Sequence, residues 1–96
     1  MSEKKQLNYV PFGAKQLEAF ADAALEMGNF DVAIEGYLQL IAAKSNESRL
    51  YVKLGNCYAA QHNTIYALEA YNAALEIEPD NEWAMHYISH VTYYGS

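Results

Sequence analysis

Two histidines four residues apart, His86 and His90 in the segment EWAMHYISHVTYYG, are spaced to chelate a metal ion from one face of a helix. A zinc-hydrolase motif would also need a glutamate directly after the first histidine, where this chain has Tyr87, and no third or fourth ligand stands nearby in the sequence. The pair therefore predicts no metal site beyond adventitious capture of nickel or zinc. Cys57, the only cysteine, has no neighbouring histidine, can form no internal disulfide and reads as a small buried apolar residue. The serines fall on loops or helix caps, and no glycine-rich phosphate loop occurs. No catalytic residue, metal or cofactor is expected, and the chain is not expected to be an enzyme.

What remains is the chemistry of binding. The net charge is -6, and no run of lysine or arginine is longer than Lys4-Lys5. Nucleic acid and anionic membranes are therefore excluded as main partners, and a basic or neutral partner is favoured. The start, MSEKKQLNYV, has charge but no apolar core of a signal peptide, and no apolar run is long enough to span a bilayer, so a cytoplasmic protein is expected.

These side chains must be positioned by helices. From Leu17 onward apolar residues recur at spacings of three and four, with no sustained alternation and prolines only at Pro11 and Pro79. Breaks at Gly28-Asn29, Ser45-Asn46, His62-Asn63 and Pro79-Asp80-Asn81 predict five helices, over 13–27, 30–44, 47–61, 64–78 and 82–94. The very short links make neighbouring helices antiparallel.

An internal repeat follows from a constant offset of 34 residues. Leu17, Phe20, Ala21 and Ala24 become Tyr51, Leu54, Gly55 and Tyr58, while Ala33, Tyr37 and Leu40 become Ala67, Tyr71 and Ala74. The second copy, Tyr51-x-x-Leu54-Gly55-x-x-Tyr58 followed by Ala67-x-x-x-Tyr71-x-x-Ala74 and Pro79, resembles the tetratricopeptide repeat closely, aromatic standing for aromatic. The first copy departs further, with Ala21, Ala24, Leu40 and Ser45 at the corresponding places, and a third begins at Glu82 and ends after one helix, its equivalent face formed by Met85, Ile88, Ser89 and Thr92. The resemblance implies an all-α superhelix of two stacked helix-turn-helix repeats, about 14–47 and 48–81, with a capping helix at 82–94. Residues 1–13 form an N-terminal extension to this 14–94 domain. Gly55 is then small so that helix backbones can approach closely.

In this family the first helices of the pairs line a concave groove that binds peptides or extended protein segments, so the resemblance implies a non-catalytic interaction module. Helical geometry sends Glu18 and Asp22, then Val52 and Asn56, then Trp83, His86, His90 and Tyr93 to that side. One family subclass grips a C-terminal carboxylate with lysine, arginine and asparagine. Only Asn56 matches here, and Glu18 and Asp22 would repel the anion, which excludes that ligand. Glu18 and Asp22 read either as a solvated face or as an attraction for a cationic partner, and Trp83 and Tyr93 as apolar anchors. The expected ligand is a net-basic or neutral segment with an apolar anchor. Two alternatives remain open: a small dedicated chaperone of a secretion-type system, and a homo-oligomeric structural protein. The half-covered face of Met85, Ile88 and Thr92 would support a weak homodimer.

Overall fold

A computed structural model describes residues 13–43 and 47–95. Residues 1–12 of the expected 1–13 extension, the break at Ser45-Asn46 and the side chain of Tyr94 lie outside the described residues. Among those described, the chain forms α1 (Ala14–Glu26), α2 (Phe30–Ala43), α3 (Ser48–Ala60), α4 (Thr64–Ile77) and α5 (Glu82–His90), which runs on into a π-helical turn, Val91–Gly95. The expected all-α architecture is therefore the observed one.

Each hairpin is closed by the same backbone device. After α1, Gly28 takes a positive φ of 82°, its N–H bonds to the Leu25 carbonyl (3.0 Å), and the Asn29 N–H reaches the Ala24 carbonyl (2.8 Å). This is a Schellman motif, which satisfies the last carbonyls of the helix and reverses the chain. After α3 the same bonds recur, His62 to Ala59 (2.9 Å) and Asn63 to Tyr58 (2.8 Å), but the left-handed residue is His62, at φ 63°. Asn63 and Asn81 then cap the helices that follow, accepting from the Tyr66 and Ala84 N–H groups. Asn81 is buried and also donates to Ser48 Oγ (3.0 Å) and Glu78 Oε1 (3.2 Å), while Ser48 donates to the same Glu78 oxygen (2.5 Å). This network ties the start of α5 to the start of α3.

The hairpins α1–α2 and α3–α4 stack through two core clusters that meet at Tyr58. Ala21, Ala33, Tyr37, Leu40, Leu50, Leu54 and Cys57 fill one cluster, and Val52, Ala67, Tyr71, Ala74, Ala84 and Val91 the other, with Tyr58 packed against both. Within each hairpin, one of the two register-equivalent small positions is glycine and the other alanine: Ala21 with Gly36, then Gly55 with Ala70. A Cβ at Gly36 would stand 2.9 Å from that of Ala21, and one at Gly55 would press into the ring of Tyr71. The glycine of the second hairpin thus makes room for an aromatic ring. Burial pushes the Cys57 thiol up to about 11, with the Asp22 carboxylate adding to the effect, so the cysteine is an inert part of the core.

On α5 the expected half-covered face of Met85, Ile88 and Thr92 packs against the core at Ile88 alone, and the buried stripe lies beside it. Ala84 is fully buried, Val91 is buried, and Tyr87 and Ile88 pack against the core, whereas Met85 is 44% exposed and Thr92 is exposed. The reason lies in the stacking: among the described residues α5 is covered only by the preceding hairpin, so it buries the face equivalent to Leu50, Leu54 and Cys57. The face equivalent to Tyr51, Gly55 and Tyr58, which α4 covers in its own hairpin, has no such cover from the described residues.

Two stability measurements follow. Gly55→Leu is expected to lose ~1–3 kcal/mol through overpacking against Tyr71, although leucine is the better helix former. His62→Gly is expected to gain up to ~1 kcal/mol by relieving the left-handed conformation. Urea unfolding of both variants beside the wild type checks the two signs.

Candidate binding groove

On α1, Glu18 and Asp22 stand one turn apart and face two cations one turn apart on α3. Arg49 donates from Nη2 to Glu18 Oε1 (2.6 Å) and from Nε to Oε2 (3.2 Å). Lys53 Nζ reaches Glu18 Oε2 (2.7 Å) and both Asp22 oxygens (3.1 Å each). Arg49 also pairs with Glu47, and Asp22 accepts the Tyr37 hydroxyl (2.5 Å). Three carboxylates and two cations thus leave a single surplus negative charge. Burial alone would raise the Glu18 carboxyl, but the bonds from Arg49 and Lys53 outweigh it and hold its pKa below the usual 4.5. Burial likewise opposes the charge on Lys53, yet Glu18 and Asp22 hold its pKa above the ordinary lysine value. The two acidic residues are therefore neither freely solvated nor left open to a cationic partner: this chain supplies their counter-charges.

Next along the groove is an aromatic column. Tyr71 from α4 reaches through beside Gly55 and donates its hydroxyl to Asn56 Oδ1 (2.7 Å). Tyr87 stacks on Tyr71 with centroids 5.7 Å apart, and Trp83 stacks on Tyr87 at 6.1 Å. Trp83 ends the column 66% exposed. Arg49, Val52, Lys53, Asn56, Asn81, Trp83 and Tyr87 enclose a pocket of about 310 Å³.

The eight residues expected to form one groove are distributed over several surfaces. Val52, Asn56 and Trp83 share the central pocket, where Val52, almost wholly buried, is its floor. Asn56 and His90 border a second depression beyond Tyr87. His86, His90 and Tyr93 line a third, on the outer side of α5. Glu18 and Asp22 touch the central pocket only through Arg49 and Lys53. The sequence reading omitted Lys53, Tyr87 and Asn81 from the site. The spacing Arg49, Lys53, Asn56 was the available signal for the first, and the same register carried one repeat onward reaches Tyr87. Among the described residues no three His, Cys, Asp or Glu side chains come together to hold a metal ion, and no helix is long and apolar enough to cross a membrane.

The fold and the groove define a stacked helical-hairpin repeat protein. Residues 48–81, the whole of the second hairpin, match the tetratricopeptide repeat model, so the chain contains a tetratricopeptide repeat. A stretch of 54 residues is 39% identical to the small glutamine-rich tetratricopeptide repeat-containing protein of Dictyostelium discoideum. That stretch covers 56% of this chain and 16% of the relative. Tetratricopeptide proteins are generally non-catalytic scaffolds that bind other proteins, and this repeat points to the same class of work.

The ion pairs make stability depend on acid. Because the folded-state pKa of Glu18 is lowered, its contribution is present above the ordinary carboxylate range and is lost as pH falls through the folded value. Urea unfolding between about pH 7 and pH 3 is expected to show a smaller acid loss for Glu18→Gln than for wild type, with the variant less stable at neutral pH.

Proposed function

We propose that the chain is a non-catalytic interaction module that takes an extended segment of a partner protein along the groove formed by α1, α3 and α5. An apolar or aromatic side chain of that segment seats in the central pocket against Trp83. The observation that carries the reading is the exposed indole at the end of the Tyr71–Tyr87–Trp83 column. A rigid aromatic surface already ordered by stacking loses little entropy on binding, and such residues are the usual anchors of interface energy. The amide nitrogen of Asn56, whose oxygen already accepts the Tyr71 hydroxyl, borders the same pocket and suits the main chain of an extended segment.

The internal pairing of Glu18 and Asp22 with Arg49 and Lys53 favours a neutral ligand over a basic one, because a cationic ligand would have to displace those partners. A carboxylate ligand would face the same cost against Glu18 and Asp22. Protein partners in the cytoplasm, rather than nucleic acid or membrane, fit the acidic surface and the free buried thiol.

Trp83 is the sole tryptophan, so its emission reports directly on the pocket. Peptides selected for binding from a random-sequence display library are expected to carry a bulky apolar residue, to shift Trp83 emission to the blue, and to lose at least ~10-fold in affinity with Trp83→Ala. Affinity should change little between low and moderate salt. Selected peptides that bind Trp83→Ala as tightly as wild type would place the partner elsewhere.

A further inference from the structure

The pocket between α3 and α5 is lined by more polar groups than it offers to an occupant. Lys53 Nζ makes three hydrogen bonds to Glu18 and Asp22 (2.7, 3.1 and 3.1 Å). An ammonium has three donors, so what Lys53 presents to the pocket is its aliphatic stem. Asn81 is engaged in the same way, its amide nitrogen on Ser48 and Glu78 and its oxygen on the Ala84 N–H.

Arg49 differs because of its shape. Glu18 takes its Nε and Nη2 and Glu47 its Nη1, so carboxylates hold the guanidinium by its edge. The group is flat and its N–H bonds all lie in the plane, so these pairings do not use its two faces. The side chain is 57% exposed and borders the pocket. Two carboxylates fix the plane, and the cationic face is therefore ordered before a ligand arrives. On the α5 wall of the same pocket stands a second flat surface, the Trp83 indole, held by its stacking on Tyr87. The spacing of the two walls is set by the protein. Asn81, two residues before Trp83, is bonded to Ser48 (3.0 Å), the residue before Arg49.

We infer, resting on the groove reading above, that the pocket selects an aromatic side chain of the partner segment over an aliphatic one, and that the guanidinium face of Arg49 determines this selection. An aliphatic side chain gains only burial against Val52, the Lys53 stem and the indole. An aromatic ring gains the same burial, stacking on Trp83 and a cation–π contact with Arg49. It does so without breaking an ion pair, because it needs the face of the guanidinium and leaves the edge to Glu18 and Glu47. A charged anchor would have to compete for that edge or for the carboxylates. The partner's ring thus becomes the next member of the Tyr71–Tyr87–Trp83 column, with a cation beside it.

The probe is the tightest peptide selected against the full chain from the display library, its anchor being the position where alanine costs most affinity. It is resynthesised with phenylalanine or with cyclohexylalanine at that anchor. The two side chains share one carbon skeleton and the saturated ring is the more apolar, so burial alone ranks cyclohexylalanine first. Calorimetric titration is expected to show phenylalanine binding at least ~5-fold tighter to the wild type, and that ratio falling towards one in Arg49→Met. Both ligands meet the same variant, so a general loosening of the pocket cancels in the ratio, and a merely structural role of Arg49 would weaken both alike. Trp83→Ala should weaken both. If Trp83→Ala leaves binding unchanged, the groove reading itself fails and this inference with it. If binding depends on Trp83 but cyclohexylalanine matches phenylalanine in the wild type, or the ratio survives in Arg49→Met, the groove reading stands and the selection by Arg49 is overturned.

Discussion

Close approach of helix backbones at a few side-chain-poor positions is the constraint on which this molecule rests. Ala21 against Gly36 closes the first hairpin, and Gly55 beneath the Tyr71 ring closes the second. Without that approach Tyr37 and Tyr71 could not reach across to Asp22 and Asn56, and Tyr71 could not carry Tyr87 and Trp83 above it. Glycine in a helix costs about 1 kcal/mol relative to alanine. Here the burial of an aromatic ring and its satisfied hydroxyl offset that loss.

The same geometry couples stability to the candidate pocket. Val52 belongs to the core and is also the pocket floor, and Asn56 is both hydrogen-bond partner of a core tyrosine and pocket wall. The groove is thus held by the packing of the second hairpin rather than by loops. The ion pairs of α1 with α3 hold the other end. They bridge consecutive hairpins, so they set the register of the superhelix while using up charge that would otherwise select a ligand.

Stacked repeats stabilise one another through neighbours alone, and among the described residues α5 has a neighbour on one side. α5 resolves this by burying Ala84, Ile88 and Val91 beneath itself and by its capped start, where Asn81 satisfies both an α5 N–H and the Ser48–Glu78 pair. Its other side keeps the small-residue relief of a first helix. α5 thus has two different sides: one forms the aromatic pocket with α3, and the other leaves Met85, Ser89 and Thr92 exposed.

The sequence by itself determined the helices, their breaks and the repeat. Apolar spacing, Gly28 and the capping asparagines are local signals, and the offset from Tyr51 to Tyr58 and from Ala67 to Ala74 identified the second hairpin as a tetratricopeptide repeat. It also put Trp83, Asn56 and Val52 on one side of their helices, and the structure gives the three a shared pocket. Three things were decided only by the tertiary structure. The face that α5 buries depends on which neighbour is present, and a single helix's pattern shows two apolar stripes without ranking them. The charge of Glu18 and Asp22 was legible, but its neutralisation by Arg49 and Lys53 joins residues more than thirty apart, a pairing set by how hairpins stack. In the column from Tyr71 through Tyr87 to Trp83, the i, i+4 pair Trp83–Tyr87 is local to α5, but the stacking of Tyr87 on Tyr71 joins two helices and leaves no mark in local spacing.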